Sequence, residues 1–222
     1  ISLLLKDLIK IEGNFRIHLS SIEMSFVSDE LLELFKNEKI CKHLHVPLQS
    51  GSNKILKLMN RNYTTEEFST LIHKIKKVIP DINLTSDIIV GFPGETDEDH
   101  VNTINLLKEL KFSHIHTFKY SLRTGTPASE MKNQINGKVK SLRSEEIRKL
   151  SEKFKSEYLK KYLNQKLRIL VEQNKIIDDE IYSTGKSDEY IAVYVKGKHP
   201  CGEFVNCILI NTNPDFTIAE LI

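Results

Sequence analysis

Apolar residues recur along the first half of the chain with two alternating periods, one helical and one extended. Leu4, Leu5, Leu8 and Ile11 stand at helical spacing, and Phe15-Arg16-Ile17-His18-Leu19 then reads as a short strand. Ser28 fits a helix N-cap, with Asp29 and Glu30 placed to favour the positive end of the following helix. His43-Leu44-His45-Val46 is the next strand. Thr64 with Glu67 three residues on fits a capping box, opening a helix with Phe68, Leu71, Ile72, Ile75 and Ile79 on one face, which Pro80 ends. The run from Asn83 to Val90 predicts a strand whose end, Ile88-Ile89-Val90, is continuously apolar, as in a sheet covered on both faces. Thr96 caps a further helix that turns Val101, Ile104, Leu107 and Leu110 inward, and His114 to Phe118 closes the series. Strands joined by single amphipathic helices need right-handed crossovers, so the expected fold is α/β with a parallel sheet, open or part of a barrel. Four strands are too few to close one.

The pattern changes after residue 140. Ser141 to Leu163 predicts one long helix with Ile147, Leu150, Phe154, Tyr158 and Tyr162 as its apolar stripe and Lys149, Lys153 and Lys160 on another face. Beyond it the period is two. Leu167 to Val171, Tyr190 to Val195 and Phe204 to Ile210 read as strands, broken by Gly185, Gly197, Gly202 and the Asn213-Pro214-Asp215 turn. The expected organisation is therefore an α/β unit over 1–140, a basic connecting helix over 141–163 and a small all-β barrel over 164–222.

Composition adds limits. With 222 residues, 40% hydrophobic and 28% charged, the chain can bury a proper core. No apolar run approaches the roughly 20 residues that span a bilayer, and the amino terminus has neither a basic lead-in nor a small-residue cleavage site, so a cytoplasmic protein with no membrane partner is expected. The chain starts inside an apolar pattern without Met, which predicts a piece of something longer. Cys41, Cys201 and Cys207 are widely spaced and odd in number, so they read as small buried apolar residues rather than a disulfide or CxxC framework. Net charge is only +2, but Lys138 to Glu172 holds eleven Lys and Arg against five Glu, a local excess of +6 that suits RNA phosphates. Lys149, Lys153, Lys160 and Arg168 belong to that patch, while Tyr194, Lys196 and Lys198, with Tyr190 and His199, offer stacking and basic groups in the β module. A solvated helix laced with ion pairs such as Glu145 with Lys149 accounts for the patch equally well, as does a core or rim place for the tyrosines. His43, His45, His114 and His116 alternate on two strands and are expected to line a barrel interior or sheet rim; no metal is assigned to them.

Two turns at the carboxyl ends of strands draw the chemistry together, because parallel α/β folds bind small ligands at that edge. In Asp87 to Thr96, Gly91 and Gly94 remove side chains where strand gives way to helix and Pro93 stiffens the bend. Backbone groups can then approach a planar ligand, though an ordinary strand-to-helix turn has the same composition. Asp87 lies in an apolar strand end, so its carboxylate needs a partner or a site to line. Gln49-Ser50-Gly51-Ser52 places an amide and hydroxyls at the equivalent edge, Ser52 being also a plausible N-cap, and Ser20-Ser21-Ile22-Glu23 follows the first strand in the same way.

These stretches, in this order and spacing, together with Met59-Asn60-Arg61 and Tyr120-Ser121-Leu122-Arg123-Thr124-Gly125-Thr126-Pro127-Ala128, resemble the radical SAM methylthiotransferases. The β module is similar to the TRAM domain, an OB-like barrel, that ends those enzymes. The resemblance implies a partial (β/α) barrel of the radical SAM type and binding of S-adenosylmethionine. In the family one 4Fe-4S cluster cleaves that cofactor to a 5′-deoxyadenosyl radical, and a second takes part in sulfur insertion. By the same resemblance Ser20, Ser21, Glu23, Gln49, Ser50 and Asp87 border the methionine and ribose parts of the cofactor. Val90, Gly91, Phe92, Tyr120 and Ser121 border its adenine.

The chain departs from the family in lacking the CxxxCxxC motif and the three auxiliary-cluster cysteines, so no catalytic residue is assigned and the chain alone is expected to be inactive. Truncation or proteolysis of an amino-terminal half is the expected reason, and the edge it would leave at Phe15 to Leu19 invites edge pairing or chain exchange between copies. Leu19 to Glu23 resembles the branch acting on N6-threonylcarbamoyladenosine of tRNA more than those acting on isopentenyladenosine or on a ribosomal protein. The competing reading is an RNA-binding module without catalysis.

Overall fold

The computed structural model describes residues 1–213 and 216–222; Pro214 and Asp215 of the expected turn lie outside the described residues. A helix α1 (Ser2–Leu8), a 3-10 turn (Met24–Phe26) and α2 (Asp29–Leu34) lead into β1 (His43–His45), followed by α3 (Asn53–Leu58), α4 (Thr65–Val78) and β2 (Asn83–Val90). After α5 (Asp97–Leu110) come β3 (His114–Lys119), the short α6 (Pro127–Glu130) and α7 (Gly137–Lys160). β1, β2 and β3 form a parallel sheet in that order, as the helical crossovers require.

Local chemistry accounts for most helix starts. Ser28, Ser52, Thr64 and Thr96 each accept the N3 backbone N–H, and Thr64 with Glu67 and Thr96 with Asp99 complete capping boxes. Leu31, Leu32, Phe68, Ile72, Ile75, Ile104, Leu107, Ile147 and Phe154 bury one face of their helices against Leu44, Leu84, Ile88 and Ile115 of the sheet. Val101 is not among them: it is 52% exposed, because the buried face of α5 runs through His100, Thr103, Ile104 and Leu107, one step round the helix.

Three strands form this sheet, not four. The segment expected to be a strand at Phe15 to Leu19 makes a single bridge, Ile17 to Ile40, while Arg16 and His18 turn aside to partners in the β module and on β1. It is therefore a lone bridge rather than a strand of the sheet.

The second unit is a closed barrel of β4 (Lys166–Ile177), β5 (Glu180–Ser187), β6 (Ala192–Lys196), β7 (Phe204–Thr212) and β8 (Thr217–Leu221) in the order β4-β5-β6-β8-β7. Ile169, Val171, Val193, Val195, Cys207, Leu209 and Ala219 fill it, and Leu159 of α7 packs against them. Two strands escaped the sequence pattern. Gly185 is no break but the interior of β5, where a Cβ would stand 1.9 Å from the Leu170 carbonyl oxygen at a bulge in β4. Cys41 and Cys207 are buried as expected, whereas Cys201 is exposed.

The two units meet through the loop between β5 and β6. Asp188 pairs with Arg16 at 3.2 Å and with Arg168 at 2.9 Å, both guanidinium groups lie over the Phe204 ring, and the Asp188 carbonyl accepts from the Lys42 N–H. Tyr190, in a left-handed conformation at φ 63°, stacks on His18 with ring centroids 3.7 Å apart.

Candidate functional site

Alternation along the strands gives the sheet one apolar and one polar face. Register places His43 beside Asn83, Thr85 between His45 and His114, and Asp87 beside His116, so these side chains share the face away from the helices. The sheet is covered on both faces, as Ile88-Ile89-Val90 suggested, but only one of them is apolar. His45 Nε2 lies 3.2 Å from Asp87 Oδ1, an ion-pair contact that supplies the partner the Asp87 carboxylate needs. Between this face and the β module lies a cavity of about 340 Å³ lined by Ser20, His45, His114, His116, Lys186 and Tyr190, among others. Burial first, and then the neighbouring histidines and Lys186, hold the His43 imidazole down at about 3. Burial, then His116 and Lys155, lowers His114 to about 4.

At the carboxyl edge the Gln49 turn is strained and braced. Gln49 is 8% exposed with φ 69°, a left-handed conformation that costs a non-glycine residue about 1–3 kcal/mol and recurs at ligand sites. Its N–H donates to the Asp87 carbonyl and its own carbonyl accepts from the Ile89 N–H, so the turn is stitched to β2. Ser50 is buried, with its hydroxyl accepting from the Ser52 N–H. A Cβ on Gly51 would meet Thr103 Cα at 2.5 Å, and Ser52 donates to Asp99.

The second turn is built around a buried ion pair. The Gly91 N–H donates to Glu95 Oε2 at 2.7 Å, and Arg143 of α7 reaches the same oxygen at 2.6 Å and Asp97 at 2.6 Å. Burial pushes the Glu95 carboxyl up, and the Gly91 N–H and the Arg143 guanidinium pull against it. Lys140 covers Gly91 and donates to the Tyr120 carbonyl. Sequence reasoning missed Arg143 and Lys140, which belong to the basic helix; a charged residue on the apolar side of its stripe was the available signal.

Beyond Val90 a cleft of about 490 Å³ is lined by Ile89, Phe92, Phe118, Tyr120, Ser121 and Arg123 among others. Phe92 meets Tyr120 edge to face at 5.3 Å, and the buried Tyr120 hydroxyl has no hydrogen-bond partner among the described residues. An aromatic cleft with one orphaned polar atom fits a planar, hydrogen-bonding group such as adenine. The structure therefore brings Phe92, Tyr120 and Ser121 to one cleft and Gln49, Ser50 and Asp87 to the neighbouring edge, while Val90 is buried in the core and Gly91 lies under Lys140. Ser20 lies in the cavity under the β module, Ser21 is exposed, and Glu23 pairs with Arg61 at 3.5 Å.

Iron–sulfur ligation finds no such fit. Burial pushes the Cys41 thiol up and that of Cys207 up to about 12, and no group of three or more His, Cys, Asp or Glu among the described residues is placed to hold a metal.

The residues expected to meet RNA are spread over α7, β4, β6 and the loop after β6. Lys149, Lys153 and Lys160 are exposed on α7, Lys149 and Lys153 pairing with Glu145 and Glu157. Lys196 pairs with Glu180, Lys198 is exposed, and Tyr194 packs on Phe216 at 4.4 Å. Arg168 is engaged by Asp188 between the two units. No helix is long and apolar enough among the described residues to cross a membrane.

Residues 1–107 match the Radical SAM superfamily. The chain is 45% identical over 190 residues to the threonylcarbamoyladenosine tRNA methylthiotransferase MtaB of Bacillus subtilis, covering 85% of this chain and 42% of that protein. To the tRNA-2-methylthio-N(6)-dimethylallyladenosine synthase of Acetivibrio thermocellus it is 39% identical over 210 residues, covering 94% of this chain and 44% of that protein. Among solved structures, coproporphyrinogen III oxidase (HemN) of Escherichia coli, a radical SAM enzyme, shares the fold with a TM-score of 0.57 at 17% identity, over 69% of this chain and 37% of that one. The chain spans less than half the length of these curated relatives. By its matched domain, its relatives and its fold, the chain belongs to the radical SAM superfamily and, within it, to the tRNA methylthiotransferases, of which it represents part.

Proposed function

We propose that the chain is the later part of a tRNA methylthiotransferase that adds a methylthio group to C2 of N6-threonylcarbamoyladenosine beside the anticodon. One observation carries the cofactor assignment: the aromatic cleft of Phe92 and Tyr120, with its orphaned hydroxyl, opens beside the strained Gln49 turn and the Asp87 carboxylate. In this reading Phe92, Tyr120 and the Val90 and Gly91 backbone hold the adenine of S-adenosylmethionine, and Gln49, Ser50 and Asp87, with Ser20, Ser21 and Glu23, face its ribose and methionine. Hydrogen abstraction from an inert carbon and sulfur and methyl transfer are the chemistry that S-adenosylmethionine and two 4Fe-4S clusters supply to such enzymes. The residues of this chain bind and orient; the thiolates lie elsewhere in the protein, and the chain alone is inactive. The five-stranded barrel acts as the TRAM domain and, with Lys149, Lys153, Lys160, Lys196 and Lys198, holds the tRNA of a cytoplasmic enzyme.

The likeness to the dimethylallyladenosine synthases supports a second reading, with isopentenyladenosine as the modified nucleoside. Nucleoside mass spectrometry of tRNA from cells lacking and then regaining the full-length protein separates them. The proposal expects 2-methylthio-N6-threonylcarbamoyladenosine to vanish and return. Loss of 2-methylthio-isopentenyladenosine instead supports the second reading, and unchanged tRNA removes both.

A further inference from the structure

The polar face of the sheet contains a continuous file of side chains. His18 Nε2 lies 2.8 Å from His43 Nδ1, His43 Nε2 lies 3.1 Å from Thr85 Oγ1, Thr85 Oγ1 lies 2.9 Å from His45 Nδ1, and His45 Nε2 lies 3.2 Å from Asp87 Oδ1. The middle of the file is buried, with His43, Thr85 and His45 each no more than 9% exposed. Its ends are wetter: the Asp87 side chain is 25% exposed and His18 is half-buried. Asp87 stands beside Gln49 at the sheet edge, and His18 stands under Tyr190 of the β module.

We propose that His18, His43, Thr85, His45 and Asp87 form a proton relay that joins the Asp87 end of the candidate site to the interface with the β module. The relay stands on the three hydrogen bonds from His18 to His45 and on the 3.2 Å ion-pair contact of His45 with Asp87, and does not depend on which nucleoside is modified.

Donor and acceptor chemistry gives the file one direction. The carboxylate oxygen of Asp87, 3.2 Å from His45 Nε2, favours a proton on that nitrogen, and His45 then offers the Nδ1 lone pair to the Thr85 hydroxyl. Thr85, donating there, accepts from His43 Nε2–H, and His43 Nδ1 accepts from His18 Nε2–H. All three imidazoles are Nε2–H tautomers, leaving His18 Nδ1 as the open end. When a proton bonds to His18 Nδ1, the His18 Nε2–H bond breaks as one forms on His43 Nδ1. His43 Nε2–H then breaks as that proton bonds to Thr85 Oγ1, which passes its own proton to His45 Nδ1. Finally His45 Nε2–H breaks and Asp87 gains the proton. One proton enters, one arrives, and no electron changes hands.

The surroundings favour neutral imidazoles, as this polarity requires. Burial, then Lys186 and Arg16, lowers His18, and burial, then His18, His45 and Lys186, lowers His43. The His116 ring lies 5.6 Å from that of His45, with His114 behind it and Lys155 close to His114. Tyr190 holds the His18 ring face to face at 6° and so acts as a positioning residue from the β module.

Long-range 15N–1H NMR on the whole chain, labelled at histidine, tests the relay. At neutral pH it should find the Nε2–H tautomer at His18, His43 and His45; the Nδ1–H form at any of them overturns the proposal. Exchange of the buried His43 N–H with deuterium should slow about tenfold in Thr85→Val, which removes the hydroxyl between His43 and His45, and stay fast in Thr85→Ser. Unchanged exchange in Thr85→Val also overturns the proposal. If Thr85→Val does not fold, the wild-type tautomers still decide.

Discussion

The two faces of the parallel sheet are made by the same three strands and have opposite chemistry. One carries Leu44, Leu84, Ile88 and Ile115 into a core closed by α2, α4, α5 and α7; the other carries His43, His45, Thr85, Asp87, His114 and His116 toward a cavity and the β module. A face that is covered but polar serves recognition or chemistry rather than stability, because every polar group on it needs a partner. The β module shows the contrast from the other side, since its closed barrel has a conventional apolar interior.

Breaking the apolar face should have the largest effect. Ile88→Ala, at a fully buried position, should cost about 2–5 kcal/mol in urea unfolding. A loss comparable with that of Thr85→Ser on the opposite face would remove the distinction. Arg143→Met should come next, about 1–3 kcal/mol, because it leaves Glu95 buried with the Gly91 N–H but without its guanidinium. Differential sensitivity to acid sharpens the comparison next. The unfolded state takes up protons on His43 and His114 near the ordinary 6.5, while the folded state resists until about 3 and 4, so stability should fall as pH drops from about 6.5 through that window. His43→Gln should flatten this limb in melts at stepped pH, and an equally steep limb would contradict the polar-face account. Smallest is Lys149→Ala on the exposed side of α7, which should leave stability within about 0.5 kcal/mol and reduce the salt slope of tRNA binding by the full-length protein by about one.

Local signals were legible in the sequence and non-local ones were not. The caps at Ser28, Thr64 and Thr96 rest on spacing within one turn and appear as read. Asp87 announced that it needed a partner, but its pairing with His45 depends on how β1 and β2 align. Phe15 to Leu19 has the alternation of a strand, yet long-range contacts of Arg16 and His18 with Asp188, His43 and Tyr190 take it out of the sheet. β5 was hidden by Gly185, whose missing side chain permits close strand approach rather than marking a turn. The Gln49 turn could be placed at the sheet edge from its residues, but its left-handed strain and its stitching to β2 belong to the fold alone.

The central claim is that the Gln49 and Gly91 turns border S-adenosylmethionine. Calorimetric titration of the full-length, cluster-loaded protein with S-adenosylmethionine tests it most directly, comparing wild type with Gln49→Ala and Asp87→Asn. Each variant should bind about tenfold more weakly, the effect of losing one hydrogen bond to a bound polar group. Wild-type affinity in both folded variants would contradict the claim.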